Sequence, residues 1–254
     1  MEPEDFAYLF DLESDFWWFA GMRDITAALL DPICATPIDR QILDAGCGTG
    51  GMMSWLERYA GKGDISGIDL TATALSFCRE RDHKLIAQAS VTSLPYPDAA
   101  FDLVTSFDVL PQLPGPDADQ TAINEMLRVL KPGGIIFIRV PAYEWMKSGH
   151  DYALNTQHRY SLPELKEKME RAGFEILRET YANSWLLPLA LLRRLVLKRI
   201  GIAAAGSDVK PLPAGLRWAN APFTAALRTE ARWLKRRGAK LRFGLSAICV
   251  ARKP

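Results

Sequence analysis

Apolar residues gather along the chain in short runs closed by a glycine or an aspartate. Gln41-Ile42-Leu43-Asp44-Ala45-Gly46 is one such run, Gly63 to Asp69 a second, and Lys84 to Ala89 a weaker third. Phe101 to Phe107 and Gly134 to Val140 are a fourth and a clear fifth. Amphipathic stretches at about 51–60, 72–82 and 118–130 separate them and predict helices. Ser161-Leu162-Pro163-Glu164 then predicts a helix start, with serine as cap, proline in the first turn and glutamate at the positive end. That helix runs to Arg171 and stops near Gly173; Glu175–Tyr181 and Gly244–Ala251 read as two more strands. Near-continuous apolar strands alternating with helices predict an α/β fold, a parallel sheet covered on both faces.

The last two strands are separated by an insertion of roughly 60 residues with no strand pattern of its own. Its only hinge-like stretch is Pro211-Leu212-Pro213-Ala214-Gly215. Trp185 to Ile200 joins an apolar block to paired basic residues, and on a helix Leu189, Leu192, Val196 and Ile200 fall on one stripe. Arg228, Arg232, Lys235, Arg236, Arg237 and Lys240 follow on a second helical pattern.

Composition narrows the class. The chain has 254 residues, 48% hydrophobic and 24% charged, which suits one large globular domain or a domain with an elaborated insertion and excludes a disordered or fibrous chain. No apolar run reaches the roughly 20 residues of a spanning helix; Trp185–Leu192 is the longest candidate and ends at Arg193-Arg194. The acidic Met1-Glu2-Pro3-Glu4-Asp5 lacks the layout of a secretory signal. Cysteines at 34, 47, 78 and 249 have neither paired nor regular spacing, so neither a disulfide framework nor a metal site is expected, and a reducing cytoplasm is. The net charge of +1 conceals an asymmetry. Residues 1–184 carry 16 Lys and Arg against 28 Asp and Glu, whereas 185–254 carry 15 against 2. The division expected is therefore a body of 1–184 with 241–254 and a basic helical insertion at 185–240.

The chemistry centres on Gly46-Cys47-Gly48-Thr49-Gly50-Gly51, which follows the first strand and opens a helix. Glycines there let the backbone turn sharply and a ligand approach closely. Gly46, Gly48 and Gly51 satisfy the dinucleotide fingerprint, so a nicotinamide-dependent oxidoreductase is one reading. Asp44 argues for another, because a carboxylate at the strand end repels a pyrophosphate and suits a ligand bearing ammonium and sulfonium groups. Asp69, at the end of the second strand, can accept both hydroxyls of a ribose. Together these residues fit S-adenosylmethionine better than a nicotinamide dinucleotide; singly, Asp44 could tie down the turn and Asp69 cap a helix.

Ile42 to Gly50 resembles the glycine-loop motif of class I S-adenosylmethionine-dependent methyltransferases, in the bacterial branch of the type 11 and 12 domains. Ser93-Leu94-Pro95-Tyr96 before Phe101-Asp102-Leu103-Val104, and Leu127 to Gly134, extend the likeness over about 40–180 plus the last strand. The resemblance implies a doubly wound, mostly parallel seven-stranded sheet with an antiparallel last strand. It implies that Gly46, Cys47, Gly48 and Gly50 approach the methionine part, Asp69 the ribose, and Leu70 the adenine. Ser90 stands where relatives often carry an acid for the adenine amine, leaving Ser90-Val91 to offer backbone groups, and Phe107 closes the fourth strand beside the same ligand. Pro111-Gln112 replaces a Glu-His pair common after that strand, which removes one general base.

Phe16 to Arg23 resembles a Trp-Trp-Phe-x-Gly-x-Arg element of this branch, which implies a leading helix folded over the cofactor. Arg23 would pair with the cofactor carboxylate and an aromatic ring such as Trp18 would face the sulfonium. An aromatic plug with a solvated Arg23 is the alternative. His150-Asp151 and His158-Arg159-Tyr160 partly match elements that recur after the fifth strand in the branch. His150 is the candidate general base, with histidine near its ordinary pKa of about 6.5; His158 can instead buttress the loop.

The expected function is methyl transfer from S-adenosylmethionine to oxygen or nitrogen of a small-molecule or lipid- or glycan-linked acceptor. A degenerate methyltransferase-fold scaffold is the non-enzyme alternative. The insertion reads as a lid or assembly face, as an element on the inner face of an anionic membrane, or as a platform for a phosphate-bearing substrate. Nucleic acid is not an expected partner: no binding module is recognisable, and the Asn/Asp-Pro-Pro-Tyr motif that resembles base-amine methyltransferases is missing.

Overall fold

The computed structural model describes residues 3–36, 38–147, 149, 151, 155–192 and 220–254. Its chain order is α1 (Pro3–Asp15), α2 (Trp17–Leu30), β1 (Ile42–Ala45), α3 (Gly51–Ala60), β2 (Ile65–Asp69), α4 (Ala72–Glu80), β3 (Ile86–Gln88) and β4 (Phe101–Phe107). α5 (Ala118–Val129), β5 (Leu130–Pro141), α6 (Leu162–Ala172), β6 (Glu175–Ala182), α7 (Leu187–Leu191), α8 (Asn220–Leu234) and β7 (Ser246–Arg252) follow. The strands form one seven-stranded sheet in the order β3-β2-β1-β4-β5-β7-β6. β7 runs antiparallel to both neighbours, and the pairs among β1 to β5 are parallel.

Alternation along each strand splits the core in two. Leu43, Val104, Ile136 and Ile138 face Ile123, Met126, Leu165 and Met169 of α5 and α6. Ile42, Leu103, Phe137 and Ile248 face Ile25 and Leu29 of α2 and Leu227 and Leu234 of α8. The parallel order reverses between β1 and β4, and in open sheets of this kind ligands sit beyond the strand carboxyl ends at that point.

The expected strands and the helices near 51–60, 72–82, 118–130 and 161–171 are present, and two of the boundary shifts have a visible cause. β5 begins at Leu130, not at Gly134, because Gly133 donates to the Lys253 carbonyl and the Lys253 amide donates to that of Gly134, so the chain end holds this stretch in the sheet. α4 ends at Glu80, ahead of the left-handed Asp82. The start of α6 is fixed by a full capping box: the Ser161 hydroxyl accepts from the Glu164 amide, and the Glu164 carboxylate accepts from the Ser161 amide. Ser161→Ala is expected to cost about 1 kcal/mol, read as a lower urea midpoint at unchanged slope.

The end of the insertion packs back onto the start of the chain. α8 lies along α2 with Leu227 at Gly21, where a Cβ would come within 2.3 Å of the leucine side chain. Phe223 contacts the Trp17 ring, and Arg228 pairs with Asp24. Glu230, fully buried, accepts from the amides of Asn183, Ser184 and Trp185 and ties α8 to the end of β6. The basic helix ends at Leu234, so Lys235 to Lys240 lie beyond it. On α7 and just after it, Leu189 and Leu192 are exposed; Val196 and Ile200 lie outside the described residues.

Candidate functional site

β1 delivers Asp44 to the carboxyl edge of the sheet and then turns through Gly46, whose amide donates to the Ile68 carbonyl. Gly46, Gly48 and Gly50 have φ of 92°, 54° and 84°, in the left-handed region that glycine enters without cost. A Cβ on Gly46 would strike Val109 at 2.2 Å, whereas one on Gly48 would meet nothing within 4 Å. The loop is closed on its inner side and open at Gly48. Cys47 is buried beneath it, with its sulfur 3.8 Å from that of Cys78.

Asp69 ends β2 opposite this loop. One of its oxygens accepts from the Gly48 amide at 3.0 Å, and the other accepts from the amide and hydroxyl of Thr71. The carboxylate is thereby held at the open side of the glycine turn. Leu70, next to it, is 69% exposed, an aliphatic face left open to water. Ser90 is engaged with Thr92, while Val91 turns into the core. Asp69 ends β2 and Leu70 follows it, while the Ser90-Val91 turn follows the adjacent strand β3.

Asp44 is 1% exposed and accepts a 2.8 Å hydrogen bond from Thr105. Burial pushes its pKa up to about 7; the Thr105 bond and Arg139 pull it down, and Glu13 and Asp69 add to the rise. A carboxyl poised at neutrality inside a ligand-binding edge is a group whose charge a ligand can set.

Two features were not foreseen from the sequence. Glu13 of α1 reaches the amino end of α3, where it accepts from Thr49 Oγ1 at 2.5 Å and the Gly51 amide at 3.1 Å and pairs with Arg81. A carboxylate there satisfies an orphan amide and meets the positive helix end. Arg81 also lies 4.1 Å from the Phe10 ring centre and donates to the Phe10 carbonyl, so α1 is fastened to the glycine loop and α4. No local pattern announces a contact between residues 38 apart. The second feature is Arg139, a buried guanidinium in an otherwise apolar strand, paired with Asp108 at 2.6 Å and set against the rings of Trp18 and Phe107. Its signal was present: one charge in an apolar run, on the face shared with Phe137.

Arg23 gives its guanidinium to main-chain carbonyls, those of Glu13 at 3.1 Å and Ser14 at 3.3 Å, and so clamps the end of α1. Trp18 stacks under Arg139. In the segment after β5, His158 bridges Glu144 and Glu164, at 3.3 and 2.7 Å. Asp151 and Arg159 form a buried pair, and Arg159 also donates to the Ala142 carbonyl. Tyr160 donates to Asp119. His150 lies outside the described residues. Among the described residues no cluster of acids, histidines and cysteines could hold a metal ion, and no helix is long and apolar enough to cross a membrane.

Three comparisons bear on this geometry. A family model described as a methyltransferase domain matches residues 43–138, which run from β1 into β5. A Mycolicibacterium smegmatis protein named a probable S-adenosylmethionine-dependent methyltransferase is 31% identical over 169 residues, 65% of this chain and 62% of that one. The chain thus spans less than two thirds of that relative's length. The ubiquinone biosynthesis O-methyltransferase of Nitrosococcus oceani is 31% identical over 205 residues, covering 69% of this chain and 83% of its own. Among solved structures, the cyclase SpnF shares the fold at a TM-score of 0.57 with 27% identity, over 91% of this chain and 80% of that one.

Proposed function

The chain belongs to the class I S-adenosylmethionine-dependent methyltransferases, and on that premise we propose that it transfers a methyl group from S-adenosylmethionine to an oxygen or nitrogen of a small-molecule or lipid-linked acceptor. The observation that carries the reading is the joining of Asp44, the open Gly48 turn, Asp69 and the bare Leu70 face along one sheet edge. These residues fit the donor: the turn accepts close approach, Asp69 retains acceptor capacity for ribose hydroxyls, and Leu70 offers an apolar face for a base. Bound there, S-adenosylmethionine supplies a methyl group on a sulfonium that already leaves well.

What remains for the chain is binding, alignment and exclusion of water. Asp69 and the Gly48 amide set the nucleoside end. Asp44 sets the cationic end when it is ionised. α1 and α2 shield the edge from solvent, held by Glu13 and Arg23. The segment after β5 faces the acceptor, and its buried Asp151–Arg159 pair keeps it in place.

Support for an apolar acceptor comes from the rim beyond β5, β6 and β7, where Trp145, Trp185 and Phe243 are exposed together. Tyr143 stacks between Trp145 and Tyr181, and the Ala142 amide donates to the Leu245 carbonyl, which joins these loops. With the basic residues that follow α8, the rim also suits a peripheral contact with an anionic membrane. Salt-sensitive sedimentation with anionic liposomes is the expected sign of such a contact; no sedimentation at low salt removes it.

Donor binding should follow Asp44. Affinity for S-adenosylmethionine is expected to rise about tenfold from pH 6 to 8 as the carboxyl ionises, and Asp44→Asn should flatten the profile. The raised pKa acts oppositely on folding. The folded chain holds this proton more tightly than the unfolded one, so the group's contribution to stability falls as pH rises from about 4 to 7.

The test is calorimetric titration with S-adenosylhomocysteine and with reduced nicotinamide dinucleotide, followed by transfer of labelled methyl to alcohol and amine acceptors. Binding of the first ligand alone, with turnover, supports the reading. Preference for the dinucleotide overturns it. The likeness to a cyclase favours one second reading, a donor-binding fold that transfers no methyl group, which donor binding without label transfer would support.

A further inference from the structure

Gly46, Gly48 and Gly51 satisfy the dinucleotide fingerprint, and a loop of that kind leads into a helix whose amino end takes a pyrophosphate. In this chain the seat is filled from within. One oxygen of Glu13, Oε2, accepts from the Gly51 amide at 3.1 Å, from Thr49 Oγ1 at 2.5 Å and from Arg81 Nη2 at 3.1 Å. An amide at a helix start, a hydroxyl and a guanidinium converging on one point are the donors that phosphate sites use. The guanidinium is itself fixed, with Nε on the Thr49 carbonyl and Nη2 on that of Phe10.

Gly51 is a second and independent mark of the seat. A Cβ at this position would come within 2.3 Å of Glu13 Oε2. In dinucleotide sites the third glycine lets helix and strand pack closely. Here the missing Cβ makes room for a carboxylate. The Glu13 side chain is 10% exposed, so the seat is closed to water as well as to ligands. Burial raises the pKa of Glu13, while Thr49, Arg81, Gly51 and Arg23 oppose the rise, so the groups around the carboxyl favour an anion. A phosphate oxygen brought to the same point would meet that anion at contact distance, with little water to screen the repulsion.

We propose that Glu13 is a specificity-determining residue: it occupies the seat that a pyrophosphate would take and so excludes diphosphate-bearing nucleotides from the donor edge. The exclusion rests on the donor reading above, but the seat itself is testable without it, by inorganic pyrophosphate. Asp44 is a neighbouring carboxylate that repels the same ligands, so the test must separate the two acids. Asp44 belongs to β1, whereas Glu13 is brought by α1 and can be removed without altering the glycine loop.

Inorganic pyrophosphate, ADP, adenosine and S-adenosylhomocysteine are titrated calorimetrically into the full-length protein and its Glu13→Ala, Glu13→Gln and Asp44→Asn variants, and into Glu13→Ala combined with Arg81→Met. Glu13→Ala should raise the affinities for pyrophosphate and ADP at least about tenfold and leave that for adenosine within about threefold. Glu13→Gln keeps the seat filled and should gain only about threefold. Adding Arg81→Met should remove the gain of Glu13→Ala. A gain that survives it belongs to the basic residues after α8 and overturns the assignment. No gain in folded Glu13→Ala, or a gain confined to Asp44→Asn, overturns it as well. Circular dichroism checks folding, and if the alanine variant does not fold, absence of any gain in Glu13→Gln is the overturning result. Failure of adenosine and S-adenosylhomocysteine to bind the unsubstituted protein would instead refute the donor reading, with pyrophosphate still deciding the seat.

Discussion

Asp69→Ala is expected to weaken S-adenosylhomocysteine binding by about a hundredfold in a protein that still folds. Two hydrogen bonds from ribose hydroxyls to a carboxylate contribute about 1.5 kcal/mol each, and about 3 kcal/mol is two decades in affinity. The substitution also removes the acceptor that holds the Gly48 amide and the Thr71 amide and hydroxyl, so the turn loosens and the loss is not offset elsewhere. Asp69→Asn keeps the shape and one acceptor oxygen and should fall between. Because the nucleoside is the part affected, 5′-methylthioadenosine, which lacks the amino-acid end, should weaken in parallel. Calorimetry on both ligands reads this directly, and unchanged affinity in the folded alanine variant would remove Asp69 from the donor site.

The largest expected effect on stability lies after β5. Arg159→Met leaves the carboxylate of Asp151 buried without its bidentate partner and takes the Arg159 donor from the Ala142 carbonyl. Breaking one side of a buried pair costs about 3–5 kcal/mol. Removing both charges costs less, so the double variant Arg159→Met with Asp151→Leu should recover most of the loss. Urea unfolding of the two variants measures the difference; equal midpoints for single and double variants would mean that the pair acts only through its surroundings. Ala142 opens the segment proposed to face the acceptor, so the single variant should also lose turnover more than donor affinity.

The sheet and its helices were legible because near-continuous apolar runs closed by a glycine or an aspartate are local signals. Ser161, Pro163 and Glu164 state a helix start within four residues, and the capping box is there. The grouping of Asp44, Gly46 to Gly50 and Asp69 was legible for the same reason: they sit at or beside strand ends, where position alone brings them together. What sequence reasoning missed depends on long-range packing. Nothing near Glu13 says that it will reach Gly51, and nothing near Arg139 says that Trp18 and Asp108 will gather around it. Gly21 was taken as part of a motif that implies a leading helix folded over the cofactor; the structure gives it a steric reason, the passage of Leu227. His158 has two glutamates for partners, both nearby in sequence, and that pairing was open to reading as a loop brace.

The seating of Leu227 at Gly21 joins distant parts of the chain, as does the Asp24–Arg228 pair, whose residues are 204 positions apart. Closing so long a loop is slow, since chain entropy must be lost before the contact returns anything. During synthesis α2 therefore emerges with its Ile25 and Leu29 face lacking one of its two covers, and stays so until the final quarter of the chain leaves the ribosome. β7, which follows α8, sits between β5 and β6, so a nascent or truncated chain without α8 can pair β1 to β5 but has neither the finished sheet nor the outer cover of α2.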